Sequence, residues 1–330
     1  MTAAAQRVRS WNAALPKPAR QLLTALPFLL PSIVLFSVFV FYPLGKSVYL
    51  GFFVSNPFHT KEIYVGFDQY RDVLTSSEFR KSLVVTSTFA LYTVVPSIVI
   101  GAFLAIIANQ KLPGIVIFRT IFSSTMAASV AIASVVFLVL LHPSIGVLND
   151  VVGWFGISPK LWLSDGGWGQ QEGGTLGLIG AWFVNPNWAL ISVSMATVWM
   201  NIGLFTIIIL AGLQTIPDEL YESARIDGAG RWSQFWHVTL PMLSPMLFFA
   251  TIVGSIFSFQ AFGQIRILTG GGPVDSSKTL LYSIYDDGFE NFRIGAASVE
   301  AIALFVILLL LTTALFRITA GRVFYGGERS

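Results

Sequence analysis

Six apolar runs, each close to the length of a membrane span, alternate with polar connections along this chain. They cover about Leu22 to Pro43, Val84 to Ala108, Phe118 to Leu141, Trp188 to Gly212, Leu243 to Ile265 and Ile294 to Phe316. A bilayer core of about 30 Å is crossed by about 20 helical residues. The pattern predicts an all-α integral membrane protein with six transmembrane helices. Pro96 and several Ser/Thr-rich patches interrupt the runs, which polytopic membrane helices tolerate because neighbours satisfy the freed backbone groups.

Arg7, Arg9, Lys17 and Arg20 precede the first run, and only Lys46 follows closely. That asymmetry predicts a cytoplasmic tail over 1–21. The run exceeds a signal-peptide core and no small-residue cleavage site follows it, so it reads as an uncleaved span. Six spans, over 22–316, then return a tail at 317–330 to the same side. On this topology 11 of the 20 Lys and Arg lie inside and nine outside, at higher density inside because the outer loops are longer.

Composition agrees with the pattern. Hydrophobic residues make up 54% of the chain and charged residues only 11%, against roughly 25% charged in soluble domains. The net charge of +3 is spread over short loops and flanks, where it reads as topogenic rather than as a nucleic-acid surface. The chain has no cysteine, which excludes disulfides, thiolate metal sites and cysteine nucleophiles. His59, His142 and His237 lie far apart with no carboxylate partner pattern, and neither GxSxG nor HExxH occurs, so an intramembrane hydrolase is disfavoured.

Two outer segments are long. His59 to Lys81 mixes aromatics with both signs of charge. Pro143 to Asn187 holds SDGGWGQQEGG among Trp154, Trp162, Trp168 and Trp182, and reads either as a flexible loop with interfacial tryptophans or as a docking surface.

The polar stretch from Tyr221 to Met246 sits between two apolar runs. Pro217, Asp218 and Glu219 suit the first turn of a helix. Glu222 and Arg225 share one flank, Leu220 and Ala224 another. Asp227-Gly228 supplies a stop, because glycine takes the left-handed conformation that ends a helix. A second helix from about Ala229 to Val238, closed by Pro241, is predicted to follow. By itself this is a helix-turn-helix on the membrane face, with or without a partner.

Glu222, Ser223, Ala224, then Asp227, Gly228, Ala229, then Leu240, Pro241 and Pro245 resemble the EAA loop of permease subunits of carbohydrate-type ABC importers, with Phe235 and Val238 on its apolar positions. Ser223 is a small-for-small departure. FRTIF at 118–122, the HPSIGVLN run ending at Asn149, GLQTIPDEL from Gly212 and LTGGGP followed by TLLYSIYDDGF extend the resemblance over roughly 20–320. FGQIRILTGGGP at 262–273 is most similar to permeases for glycerol phosphate or glycerophosphodiesters; permeases for neutral mono- or disaccharides share much of it.

The resemblance implies a type I importer fold and alternating access. It makes Glu222, Ala224, Asp227, Gly228, Ala229, Leu240 and Pro241 the ATPase-coupling residues. It also implies a second, different permease subunit, an ATPase dimer that carries ATP and Mg²⁺, and an extracytoplasmic solute-binding protein, with membrane lipid around the complex. No cofactor is expected on this chain. GPVDSSKT at 272–279 imitates a phosphate loop, but Ser277 stands where the second glycine must be, so ATP binding has to be borrowed. A stand-alone secondary transporter or channel is the reading from another class, and it has no need of a docking loop.

Polar groups inside spans mark candidate solute paths. Asn201, Ser255, Ser258, Gln260 and Gln264 offer hydrogen bonds and Trp199 a flat apolar face; helix-to-helix bonding is the competing reading for each. Arg266 and Glu300, near outer ends, are expected to pair, to reach separately for the interface, or, for Arg266, to attract a phosphate.

Overall fold

The computed structural model describes residues 17–55, 62–110, 112–156, 158, 160–167 and 187–319. The glycine-rich stretch with Trp168 and Trp182, and most of both tails, lie outside the described residues.

Helix α1 runs from Lys17–Phe36 through a π-helical turn, Ser37–Phe41, into Tyr42–Leu50. A hairpin follows, pairing β1 (Phe53–Ser55) antiparallel with β2 (Glu62–Tyr64) in the register Phe53 to Tyr64. This small two-stranded sheet is a local addition to a chain that is otherwise helical: Phe53 and Tyr64 pack edge to face across it in the manner that favours short aromatic strand pairs. Helices α2 (Asp68–Thr75) and α3 (Ser77–Ala108) come next. Ser76 caps α3, its hydroxyl accepting the Phe79 amide at 3.1 Å, which starts the helix well before its apolar run.

The third predicted span is broken. Helix α4 (Ile115–Ser124) and a 3-10 turn (Thr125–Ala127) meet α5 (Val130–Leu140) at a bend of 100°. Ser124 and Thr125 donate to the carbonyls of Ile121 and Phe122 at 2.7 and 2.9 Å, and Ser129 is extended. Side-chain hydroxyls that bond to nearby carbonyls compete with the helical ladder there.

After α6 (Val147–Trp154), helix α7 (Trp188–Gln214) forms the central span. Then come α8 (Asp218–Ile226) and α9, a continuous helix over Arg231–Phe259 with a π turn at Phe235–Thr239. Two short helices follow, α10 (Gly263–Leu268) and α11 (Leu280–Tyr285), the latter running into a π turn at Asp286–Glu290; the last span is α12 (Ile294–Thr319).

Five of these helices are long and apolar enough to cross a membrane, and the bent α4–α5 pair makes a sixth if it is one span. Half of α7's most apolar stretch is buried, against none of α1's. The core lies between α3 and α7, where Val85 and Phe89 meet Leu190, Val193 and Ala196, extended by Ile265, Leu268 and Tyr282. A second cluster at the other end joins Ala105, Ile209, Leu213, Ile216 and Leu243. Close approach depends on glycines: a Cβ on Gly101 would stand 3.0 Å from Cβ of Phe205.

Candidate functional sites: the α8–α9 turn and the far end of α9

The turn after α8 is closed by the hydrogen bonds of a Schellman motif. The Gly228 amide donates to the Arg225 carbonyl at 3.1 Å, and the Ala229 amide to the Ala224 carbonyl at 2.9 Å. Gly228 holds φ +79. This is the left-handed geometry that lets the chain reverse while satisfying the carbonyls a helix end would leave open. Asp218 and Glu219 sit in the first turn of α8 and Arg225 in the last, the arrangement favoured by the helix dipole.

The second predicted helix is corrected. It does not close at Pro241 but runs on as α9. Proline lacks the N–H that a regular helix requires, and the π turn absorbs this: the Leu240 amide reaches back to the Phe235 carbonyl just before Pro241. The same arrangement recurs in α1, where the Tyr42 amide reaches Ser37 just before Pro43. Leu240 and Pro241 therefore belong to the base of a membrane helix, whereas Glu222, Asp227 and Gly228 sit exposed on or beside the turn, with Ala224 and Ala229 partly covered.

This turn is fastened from beneath and open above. Tyr221 Oη lies 3.1 Å from Thr239 Oγ1, joining α8 to α9, and the Gln234 side-chain amide donates to the Ala229 carbonyl at 2.8 Å. Ile216 and Tyr221 pack on the cluster around Leu213 and Leu243. Ile226, at 86% exposure, and Trp232, at 74%, stand bare at the tip.

At its far end α9 stops at Phe259, earlier than the predicted Ile265, so Gln264 and Arg266 ride on the separate helix α10. The segment after it is bound to its neighbours. Lys81 donates to the Val274 carbonyl at 2.8 Å, Asn187 to the Ser276 carbonyl at 2.7 Å, and the Leu280 amide to Thr86 at 2.8 Å. Lys278 pairs with Asp286, and Arg293 with Asp287. Burial alone would lower the Lys278 pKa, but the Asp286 hydrogen bond and the charges of Asp275, Asp286 and Asp287 outweigh it, so its ammonium is held above the ordinary value.

Arg266 does not pair with Glu300. It binds Glu290 at 2.8 Å and the Tyr282 hydroxyl at 3.0 Å, while Glu300 is buried and accepts from Ser283 at 3.2 Å. Of the polar residues picked out in the spans, Ser258 is buried with its hydroxyl 2.7 Å from Thr93 of α3. Ser255 donates to the Thr251 carbonyl of its own helix at 2.7 Å. Gln264 is buried, Asn201 half-buried, and Trp199 and Gln260 are exposed. Trp199 lies 5.9 Å from the Phe137 ring.

The model of the family described as "Binding-protein-dependent transport system inner membrane component" matches residues 75–325. The chain belongs to this family. Relatives include the sn-glycerol-3-phosphate transport system permease proteins UgpA of Rhizobium meliloti, 32% identical with 91% of this chain and 97% of the relative covered, and of Agrobacterium fabrum, with the same identity and coverage. A probable ABC transporter permease protein, YurN of Bacillus subtilis, is 29% identical over 86% of this chain and 92% of its own length. The fold is that of a chain in the crystal structure of a bacterial alginate ABC transporter in complex with an alginate pentasaccharide-bound periplasmic protein, at TM-score 0.72 and 22% identity, covering 92% and 96% of the two chains. This permease is therefore a membrane transport component and not an enzyme.

Sequence reasoning passed over one structural hub of the permease. Asn149 is buried on α6; its Oδ1 accepts from the Lys160 amide at 3.1 Å and from the Trp162 indole at 2.7 Å, and its amide donates to Pro143 and Lys160 carbonyls at 3.0 and 3.2 Å. Trp162 then meets Trp188 edge to face at 5.4 Å. The signal was the asparagine that ends HPSIGVLN, just past a span, where a buried amide can staple a loop.

Proposed function

We propose that this chain is one of two permease subunits, the other a different chain, of an ATP-driven, binding-protein-dependent importer of glycerol phosphate or glycerophosphodiesters. The observation that carries the coupling part is the closed turn at Gly228, fastened by Tyr221 and Gln234 and bare at Ile226 and Trp232. A rigid element with an exposed apolar tip is suited to seat in a groove of an ATPase subunit, and its continuity with α9 carries displacement into the span. Glu222, Ala224, Asp227, Gly228 and Ala229 form the seat, and Leu240 and Pro241 join it to α9.

Both termini and this turn lie in the cytoplasm on this reading. The binding protein releases solute at the other face, and closure of the ATPase dimer around ATP and Mg²⁺ biases the permease between two states. Trp199, Asn201, Gln260, Gln264 and Arg266 line the path, with Ser255 and Ser258 supporting it. The substrate class rests on the names of the relatives. The deciding experiment measures ATP hydrolysis by the reconstituted complex with the binding protein and a panel of sn-glycerol 3-phosphate, glycerophosphodiesters and neutral sugars. Stimulation by the phosphate-bearing solutes is expected; stimulation by neutral sugars alone overturns the substrate class, and failure of an ATPase to copurify overturns the coupling.

A further inference from the structure

Arg266 is held on three sides by groups from one short stretch of chain. Its Nη1 donates to the Tyr282 hydroxyl at 3.0 Å, its Nη2 meets Glu290 Oε1 at 2.8 Å, and its Cζ lies 5.3 Å from the centre of the Tyr285 ring. The aromatic floor is wider than one ring. Phe262 stacks on Tyr282 with centroids 6.0 Å apart at 26°, and Phe289 on Tyr285 at 5.5 Å and 24°.

The ion pairs of this segment differ in kind. Two of them have one covered partner: Asp287 keeps 7% of its side chain exposed against 51% for Arg293, and Lys278 15% against 28% for Asp286. Arg266 and Glu290 keep 43% and 42%. Pairs so open to water contribute little to stability, so the first two tie the segment together while the third is free to be exchanged. A phosphate offers several strong acceptors and bonds a guanidinium fork at two points, whereas Glu290 meets Arg266 through one oxygen.

Resting on the substrate reading above, we propose that Arg266, seated on Tyr285 and steadied by Tyr282, receives the phosphate of the arriving solute at the outer mouth by releasing Glu290, its resident counter-ion. The aromatic floor takes the carbon face of the glycerol, and Glu290 turns away weakly anionic solutes that cannot displace it. The site is thus a selectivity gate ahead of the intramembrane path.

The test is the initial rate of sn-glycerol 3-phosphate uptake into proteoliposomes holding the whole complex, with the binding protein saturating. Arg266→Ala is expected to slow uptake about tenfold, the equivalent of one charge-assisted hydrogen bond. Arg266→Lys should fall between, since it keeps the charge and loses the fork. Glu290→Gln removes the competitor and should raise the rate.

A merely structural pair so open to water predicts no gain for Glu290→Gln, so an unchanged or reduced rate in that variant overturns the gate. Uptake of glycerol phosphate at the wild-type rate by Arg266→Ala overturns the whole assignment and leaves the substrate class standing. Stimulation of the wild-type complex by neutral sugars alone removes both.

Discussion

At the scale of single residues, conformation and space separate at Gly228. A Cβ there would meet nothing within 4 Å, yet φ is +79. Gly228→Ala therefore carries only the left-handed penalty, about 1–2 kcal/mol, and should leave the subunit inserted with modestly reduced uptake. Gly228→Pro also deletes the amide that bonds Arg225, and cannot reach positive φ; ATPase copurification and uptake should both be lost. Normal transport by the proline variant would sink the coupling assignment. Asn149 supports a different kind of prediction. Asn149→Ala strands the buried Trp162 indole and the Lys160 amide, at about 1–3 kcal/mol for each unsatisfied group, so thermal unfolding in detergent should shift down clearly while Asp150→Ala, on the exposed side of α6, shifts little.

At the scale of elements, the apolar runs announced five spans at nearly the right places because length and hydropathy depend only on local composition. The break in the third did not announce itself. Ser124 and Thr125 look like ordinary polar dilution in a sequence, and only the pairing of their hydroxyls with carbonyls inside the helix marks its end. The run of α9 through Pro241 was hidden for a similar reason: proline reads as a stop, and a π turn two residues earlier is a geometry with no residue signature. The turn between α8 and α9 was legible down to its glycine, because one residue type meets that φ. The Arg266 partner was not, since Glu290 comes near only through the fold of α11. The bent pair also rests on α7 at Gly203, where an added Cβ would stand 2.5 Å from the Phe122 carbonyl oxygen and from Thr125 Oγ1. Gly203→Val is expected to separate α4 from α7, with uptake falling at least as steeply as thermal stability; a variant of wild-type stability and uptake would show that this contact is not held in the membrane.

At the scale of the whole molecule, α1 lies almost bare among the described residues. Its apolar stretch from Ala25 to Leu50 has no buried share, although 26 residues span about 39 Å. It packs against α12 along Tyr42–Leu50, and Phe28 and Phe39 on the rest are 81% and 72% exposed. In a permease pair, the free length of α1 is available to lie against the second subunit, where close packing substitutes for the hydrophobic effect that lipid removes. The chain has no cysteine, so Phe39→Cys and Phe28→Cys each place a single benzophenone maleimide on this subunit. In native membranes, irradiation should join α1 to the second permease from at least one of these positions, and a charged substitution at the joined position should weaken the pair while leaving the subunit inserted. Adducts to lipid alone from both positions would place α1 on the outside of the complex, held by α12 and by the Tyr70 hydroxyl on the Val48 carbonyl.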